Sequence, residues 1–402
     1  MKRTRCGGCY STDLCLILDL GTSPLTNNFP MSLDEIQPHY PLELLRCSHC
    51  SLVQLSEIVP DDILWSSDYG FYTGSSWVAV EHQKRYAAQV MQQYANLCRM
   101  GVLEIACNDG TMLQNFKAAG YQTLGIDPSQ GPVDVARSNG LDVWAEAFNS
   151  TAALRIVAQR GRQGVVIANN VIAHVADLYD FIEGLAIVLH PAGVAIVEFQ
   201  YLVDLVTGNQ IDHVYHEHRQ FFSLTSLKHA LKQHGLLPFS VTQTSPQGGS
   251  LRVVISRWST WDHSVDKLTN DERWLQDQHS LAGLQGRANR IKSRFRDMLW
   301  EQKQANRRVA GYGAPGKSTT LLNFCEIDKD LIQYMVDTTP LKHGRFTPGT
   351  GIPIISPSAD SRAPDMYVLF IHNYASEVMK QEPLFTAQGG HWLIPIPVPV
   401  VI

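Results

Sequence analysis

One short stretch of this chain concentrates side chains that exchange protons near neutral pH. Residues 213 to 219 contain three histidines, a tyrosine, a glutamate and an arginine: His213, Tyr215, His216, Glu217, His218 and Arg219. Histidine titrates closest to physiological pH, and such groups serve as general acids and bases. Three imidazoles also suit a metal, but the stretch has no HExxH motif and a further ligand is not evident. We therefore predict acid–base chemistry here, with a catalytic metal and a solvated loop as the alternatives.

Four cysteines form two CxxC pairs, Cys6 with Cys9 and Cys47 with Cys50, separated by 37 residues. Each pair presents two thiolates from a tight turn, and four sulfurs supply the tetrahedral coordination that zinc prefers. Because four protein ligands leave no open position, the predicted zinc site is structural. Four free thiols are the alternative. Residues 1–60 hold both pairs, and a metal would help to close so small a core.

A strand–loop–helix pattern typical of nucleotide-binding sheets begins at Val102. Its apolar strand runs to Ile105, the turn Asn108-Asp109-Gly110 follows, and an amphipathic helix begins near Leu113. The next strand ends at Asp127, 17 residues after Gly110. Doubly wound folds place an acid against a ribose at about that distance. We predict that this sheet binds a cofactor that contains a nucleoside. NAD is disfavoured because the loop does not have the three glycines of a dinucleotide-binding motif. A sheet that binds no nucleotide is the alternative.

A second glycine-rich loop, residues 311–319, fits both GxGxxG and GxxxxGK[ST], with Lys317 as its lysine. The NTPase interpretation is disfavoured because Pro315 removes a backbone N–H from the part that would hold phosphate. The acid after the next strand, Asp337, instead occupies a Rossmann-type position. This loop therefore predicts a second Rossmann-like domain, with a vestigial nucleotide fold as the alternative.

Composition supports an α/β protein of several domains. The chain has 402 residues, of which 44% are hydrophobic and 18% charged, and its formal net charge is -5. That charge argues against nonspecific binding to nucleic acid or anionic membranes. Long apolar stretches and a secretory signal are absent from the sequence, so a cytoplasmic protein is expected. We predict domains at residues 1–60, 61–250 and 251–402, the last beginning with a strand and helices.

Taken in order, these motifs resemble the sugar C-methyltransferase family over nearly the whole chain. The matching pieces are the four cysteines, Tyr40 to Leu44, Asp68-Tyr69, Tyr72-x-Gly74-Ser75-Ser76, Glu104 to Leu113, Ala168 to His174, Tyr215 to His218 and Gly311 to Lys317. The resemblance implies an N-terminal zinc-binding domain, a class I S-adenosylmethionine (SAM) methyltransferase core and a C-terminal Rossmann-like domain. It implies a nucleotide-linked 4-keto-deoxysugar as substrate, with thymidine diphosphate as the nucleotide, and no protein partner. One departure is that Ala106 and Asn108 replace two glycines of the usual ExGxGxG loop.

The resemblance also assigns roles to individual residues. The implied base is His218, with Tyr215 and Glu217 beside it, and His174 and Tyr69 match further active-site positions. The expected cofactor-binding residues are Glu104, Asn108, Asp109, Gly110, Asp127, Phe148 and Asn169. The expected substrate-binding residues are Tyr72, His216 and Lys317, with Lys317 acting on the nucleotide.

The implied chemistry suits these groups. A saturated sugar carbon becomes a nucleophile only when a base removes a proton next to a ketone, which forms an enolate. The enzyme must supply that base and a donor for the enolate oxygen, a role open to Tyr215, His216 or His174. The alternatives are O- or N-methylation of a small metabolite, or a zinc-containing scaffold whose SAM site is degenerate.

Overall fold

The computed structural model describes residues 1–65, 72–75, 77–245, 248–258, 260–360 and 363–402. The strands are β1 (Leu14–Pro24), β2 (His39–Cys47), β3 (Val53–Leu55), β4 (Val102–Ile105), β5 (Thr123–Asp127), β6 (Val143–Ala145), β7 (Gln163–Asn169), β8 (Leu189–Gln200), β9 (Gln220–Phe221), β10 (Leu237–Thr244), β11 (Ser250–Ser256), β12 (Val309–Tyr312), β13 (Tyr334–Val336), β14 (Ile354–Ile355), β15 (Met366–Leu369), β16 (His391–Ile394) and β17 (Val400–Val401). The helices are α1 (Asp61–Leu64), α2 (Trp77–Cys98), α3 (Leu113–Ala118), α4 (Gln130–Ser138), α5 (Ser150–Arg160), α6 (Leu178–Val188), α7 (Leu202–Thr207), α8 (Leu224–Lys232), α9 (His263–Asp271), α10 (Leu284–Gln304), α11 (Gly316–Cys325), α12 (Ala375–Gln381) and α13 (Pro383–Ala387).

The N-terminal sheet is antiparallel and has the strand order β1-β2-β3-β9. Its fourth strand comes from far along the chain, because Val53 pairs with Phe221 and Gln54 with Gln220. Strand β9 begins two residues after His218. The histidine-rich stretch is therefore anchored directly to the sheet that carries the cysteine turns.

The central sheet has the order β10-β11-β8-β7-β4-β5-β6, and β4 to β8 run parallel. Strands β4 and β7 are apolar and buried on both faces, as expected where helices cover a parallel sheet. Strand β11 is antiparallel to β8 and closes the sheet with β10. This arrangement confirms the expected class I methyltransferase architecture. The domain boundary expected between residues 250 and 251 falls inside β11, so the central sheet extends to Ser256.

The C-terminal sheet has the order β14-β13-β12-β15-β16-β17, parallel except for β17. The glycine loop leaves β12 and leads into α11, and β13 ends directly before Asp337. This strand–loop–helix opening confirms the expected second Rossmann-like unit.

One apolar core joins the three units. Leu44 of the N-terminal sheet, Val214 and Phe221 of the histidine-rich stretch, and Leu321 of α11 all belong to it, and each is at most 2% exposed. Burial of such side chains is worth about 2 kcal/mol each, so the units are held in a fixed arrangement. Within the described ranges, none of the helices combines the length and apolar character needed to cross a bilayer.

Candidate active site

The ring of His218 is held at both nitrogens. Its Nδ1 lies 2.8 Å from the carbonyl oxygen of His213, and its Nε2 lies 2.7 Å from the Tyr215 hydroxyl. Because a carbonyl oxygen only accepts, Nδ1 carries the hydrogen and Nε2 carries the lone pair to which Tyr215 donates. Burial, with His174 and His213 nearby, lowers the pKa of His218 well below its ordinary value. The ring is thus neutral at physiological pH and able to accept a proton.

A second neutral imidazole lies beside the first. The rings of His174 and His218 are 5.0 Å apart between centroids. His174 follows the carboxyl end of β7, and its Nδ1 donates to the carbonyl oxygen of Glu217 at 2.7 Å. Burial lowers the pKa of His174 to about 4. Since ligands gather outside the carboxyl ends of parallel strands, His174 places the pair on the side of the sheet where a cofactor binds.

His216 and Glu217 face the N-terminal unit. The Nε2 atom of His216 donates to the Pro41 carbonyl oxygen at 3.3 Å, and its ring packs on Tyr40. The Glu217 carboxylate accepts from the Thr26 hydroxyl at 3.0 Å and from the Asn27 amide at 2.9 Å. Burial raises the pKa of Glu217. The carboxylate therefore holds the histidine-rich stretch against residues 26 and 27, while the Glu217 carbonyl orients His174.

Arg219 is buried and connects three segments of the chain, a role that its sequence position alone does not indicate. Its guanidinium donates to the His174 carbonyl oxygen at 3.1 Å and to the Val59 carbonyl oxygen at 2.7 Å. It also pairs with Asp61 at 2.6 Å. These contacts fix the His174 loop to the segment that leads towards Tyr69. Tyr69 itself lies outside the described residues.

The loop after β4 adopts the glycine-type conformation despite its substitutions. Ala106 and Asn108 have φ values of 53° and 51°, in the left-handed region that glycine adopts most readily. Asp127 accepts from the backbone N–H of Asn108 at 2.9 Å and of Ser129 at 2.8 Å. A carboxylate has further lone pairs for ribose hydroxyls. The loop and the acid are therefore arranged as a class I cofactor site requires.

Gly110 is required by packing beneath this loop. Its φ is 76°, and a Cβ built on it would lie 2.1 Å from Cδ1 of the buried Leu141. Gly120 has a similar φ of 84°, but among the described atoms none lies within 4 Å of its Cβ position. Substitution by alanine therefore strains the backbone at both glycines, but only at Gly110 does the new Cβ clash with a neighbouring side chain.

We expect Gly110→Ala to reduce the free energy of unfolding by about 1–3 kcal/mol more than Gly120→Ala does, because only residue 110 overpacks a core. SAM affinity should fall with it, since the displaced loop carries Asn108. Urea denaturation and calorimetry with SAM measure the two effects. Equal losses in the two variants would show that the Leu141 contact is unimportant.

Several expected cofactor residues have other partners as well. The side chains of Asn108 and Asp109 accept from the backbone N–H groups of Thr73 and Gly74 at 2.9 and 2.7 Å. They hold residues 72–75 over the loop, and a Cβ on Gly131 would lie 2.7 Å from the Tyr72 hydroxyl. The structure thus places Tyr72, expected to bind substrate, beside the first turn of α4. Phe148 packs on Phe181 with ring centroids 5.5 Å apart.

Two buried oxygens could accept hydrogen bonds from a bound cofactor. Glu104 Oε2 and Asn169 Oδ1 have no hydrogen-bond partner among the residues described, and they lie at the carboxyl ends of neighbouring strands β4 and β7. Burial raises the pKa of Glu104 well above its ordinary value. Unpaired buried oxygens are costly, so these sites favour a bound molecule that donates to them. SAM, with its amino group and ribose hydroxyls, fits this donor requirement together with Asp127.

The lysine of the second glycine loop lies next to the histidine-rich stretch. The Lys317 side chain is largely buried, and its Nζ atom lies 3.7 Å from the carboxylate of Asp212, directly before that stretch. The Rossmann-type acid Asp337 accepts from the Ala314 N–H at 2.7 Å and pairs with Lys342 at 3.2 Å. The structure therefore brings Lys317 to the junction between the units, while Lys342 neutralises Asp337.

The four cysteines converge as the zinc prediction requires. Their sulfurs all lie within 4.8 Å of one another, with Cys6 and Cys50 3.5 Å apart and Cys9 and Cys47 3.6 Å apart. Tetrahedral zinc with Zn–S bonds of about 2.3 Å places its sulfurs about 3.8 Å apart. The hydrogen bond to Cys47 raises the pKa of Cys6 to about 12, so a cation is needed to hold all four as thiolates. The donor set and geometry fit a structural zinc.

Acid is expected to destabilise the protein through its buried histidines. Burial lowers the pKa values of His174, His213 and His216 from 6.5 to about 4 in the folded state. At these three positions the unfolded chain therefore binds more protons than the folded one as the pH falls from 6.5 to 4. The three rings alone would lower the free energy of unfolding by up to about 4 kcal/mol per pH unit, and the raised pKa values of Glu104 and Glu217 oppose this fall.

Urea denaturation at several pH values checks this expectation. The His216→Gln protein, which retains a donor for Pro41, should show a shallower pH dependence than the wild type. A substitution at His263, which is exposed, should leave the slope unchanged. A pH dependence in the His216→Gln protein as steep as that of the wild type would contradict the burial of this ring.

Three family models match successive parts of the chain. "Putative zinc binding domain" matches residues 6–65, "Methyltransferase domain" residues 79–240 and "C-methyltransferase C-terminal domain" residues 245–397. Their order follows the three units of the structure, and the first spans all four cysteines.

Full-length similarity is found to the C-methyltransferase NovU of Streptomyces niveus. The two are 30% identical over 406 residues, which cover 99% of this chain and 96% of NovU. The ubiquinone biosynthesis O-methyltransferase of Chelativorans sp. (strain BNC1) is 30% identical over 97 residues, or 24% of this chain and 38% of that enzyme. The magnesium protoporphyrin IX methyltransferase (ChlM) of Synechocystis PCC 6803 with bound SAH covers 46% of this chain and 88% of its own at 17% identity, with a TM-score of 0.36.

Proposed function

Because the chain belongs to the C-methyltransferase family, we propose that it methylates a carbon next to the ketone of a nucleotide-linked 4-keto-deoxysugar. The enzyme is a SAM-dependent methyltransferase with a structural zinc site, as the relatives and the cysteine geometry show. The sugar, its nucleotide and the residue roles below are the proposal. The observation that supports it is the pair of neutral imidazoles, His174 and His218, beyond the carboxyl end of β7.

In the proposed reaction the base lies in the catalytic turn, Tyr215–His218, where His218 takes the acidic C–H proton at Nε2. The electron pair of that bond forms the enolate, and the carbon then attacks the methyl group. SAM supplies this methyl on a sulfonium whose S–CH3 bond breaks to leave a neutral thioether. With both substrates bound, the remaining task of the protein is alignment and proton transfer.

Tyr215 is suited to stabilise the enolate oxygen. Before reaction its hydroxyl donates to the Nε2 lone pair of His218. A neutral imidazole has one lone pair, so the Tyr215 hydroxyl turns from Nε2 to the ketone oxygen when the substrate binds. Nε2 then accepts the C–H proton while the hydroxyl donates to the developing oxyanion. His174, with its hydrogen on Nδ1 held by Glu217, presents a lone pair and suits the oxyanion less well.

The test is a product analysis with a panel of 4-keto-deoxysugar nucleotides and SAM in deuterated water. We expect a mass gain of one methyl group, a new carbon-bound methyl in the proton spectrum, and exchange of the α-proton. A methyl on oxygen or nitrogen would instead support methylation of a heteroatom. Absence of SAM binding by calorimetry at millimolar concentration would support a scaffold with a degenerate site.

Lys317 is proposed to contribute to binding of the nucleotide part. Its side chain lies at the junction between α11 and the catalytic turn, where an anionic diphosphate would meet a cation. Lys317→Ala should weaken sugar-nucleotide binding about tenfold or more while SAM affinity stays unchanged. Calorimetry with each ligand measures this, and Lys329→Ala, an exposed lysine of the same unit, is the matched control. Unchanged sugar-nucleotide affinity would contradict the role.

A further inference from the structure

A buried ion pair links the C-terminal unit to the catalytic turn. Asp212 is 2% exposed, and its Oδ2 atom lies 2.7 Å from Nε2 of His372, which follows β15. The Lys317 Nζ atom lies 3.7 Å from the same oxygen. Burial opposes ionisation of Asp212, yet His213, His372 and Lys317 together hold its pKa below the ordinary range. Asp212 is therefore an anion enclosed by groups from two units.

The hydrogen on the His372 ring can be assigned. A carboxylate only accepts, so the 2.7 Å contact requires Nε2 of His372 to carry the hydrogen and donate it to Asp212. The Lys317 Nζ atom, 3.4 Å from the same Nε2, then acts on Asp212 as a charge and not as a donor to His372. His372 thus makes the short, directional contact that fixes the Asp212 side chain.

Asp212 precedes the residue that orients the catalytic ring. The carbonyl oxygen of His213 accepts from Nδ1 of His218, and this bond leaves the lone pair on Nε2. The His213 ring gives the turn little support, because neither of its nitrogens has a hydrogen-bond partner within the described parts of the chain. A short 3-10 turn, Ile211–His213, carries both residues. Besides the buried side chains of Ile211 and Val214, its position depends on Asp212 and on the Val214 carbonyl, which accepts from Thr320.

We propose that His372 is a positioning residue for the methyl transfer: through Asp212 it holds the His213 carbonyl and thereby the ring and tautomer of His218. This inference rests on the proposed role of His218 as the base. It assigns the C-terminal unit a part in catalysis that is separate from nucleotide binding. No motif in the sequence points to His372, because its partner lies 160 residues away.

The proposal predicts a loss in turnover more than in binding. Small misplacement of a catalytic group can cost up to about 100-fold in rate, so His372→Ala should lower kcat about 10- to 100-fold with little change in KM for SAM. His372→Gln, which keeps an N–H donor near the same place, should recover most of the rate. His391→Ala removes an exposed histidine of the same unit and is the matched control.

A double-mutant cycle with His218 tests the route of the effect. The rates of α-proton exchange and methylation are measured per SAM-binding site for the wild type, His218→Ala, His372→Ala and the double variant. If His372 acts through His218, its removal costs nothing further once His218 is gone. Additive losses, or a His372→Ala rate equal to the wild type, would overturn the proposal. An unimpaired His218→Ala protein would instead refute the base assignment on which it rests.

Discussion

The His218→Ala protein is expected to lose C-methylation by a factor of about 10²–10⁴, the contribution of a positioned general base. Its α-proton exchange should fall in parallel, because the same step forms the enolate. SAM binding should be retained, since Asp127 and Asn108, the expected cofactor residues, bond to each other and do not depend on the ring of His218. The expected pattern is therefore a loss of chemistry without a loss of cofactor.

The matched control is His263→Ala, which removes an exposed histidine at the start of α9. It should retain wild-type rates and the same SAM affinity. A Tyr215→Phe protein separates the role of the base from that of the enolate donor. It should still exchange the α-proton, because His218 keeps its lone pair, but slowly, because the enolate oxygen has lost its donor. Full methylation by His218→Ala would show that another group takes the proton, with His174 as the nearest other imidazole.

Cys50→Ser is expected to abolish zinc binding and to lower the thermal unfolding midpoint more than Gly110→Ala or any of the histidine substitutions. Apparent zinc-binding free energies in small zinc domains are about 10–16 kcal/mol, and that energy supports folding. Cys50 is 1% exposed and belongs to the core that continues into the central sheet. Elemental analysis should give one zinc per chain in the wild type and close to none in the variant.

Cys15→Ser provides the matched control, because Cys15 is an exposed thiol of the same sheet and lies outside the four-sulfur cluster. It should keep its zinc and its unfolding midpoint. Methylation should fall in Cys50→Ser, since β3 pairs with β9 directly after the catalytic turn. A Cys50→Ser protein with full zinc content would exclude the four-cysteine site.

Local patterns predicted the strand–loop–helix openings of the two Rossmann-like sheets and the metal site, whereas SAM as the cofactor was implied by the family resemblance. The apolar runs of β4 and β7 are each bounded by turn residues. The CxxC spacing places two sulfurs of each pair close together. Both signals come from residues that are near each other in the sequence. The class I architecture, the SAM cofactor and the zinc site are all confirmed. The second Rossmann-like unit is confirmed for the same reason, since its glycine loop and Asp337 flank β12 and β13.

The directions of individual side chains in the active-site turn could not be predicted. Consecutive residues of an irregular turn point to different sides without a fixed period, so His216 turns to Pro41 while His218 turns to Tyr215. The sequence also gives no sign that Glu217 meets Thr26 and Asn27, 190 residues away. The site roles of these residues therefore remain predictions.

The pairing of β3 with β9 has a consequence for making chimaeras of this enzyme. Exchanging residues 1–60 for those of a relative would give Gln220 and Phe221 a foreign neighbour and would change the surroundings of Glu217 at the same time. A functional hybrid should therefore carry residues 211–222 together with the N-terminal segment from one parent. A hybrid joined only at the apparent domain boundary would combine a β3 strand and a β9 strand from different parents, although the two pair directly.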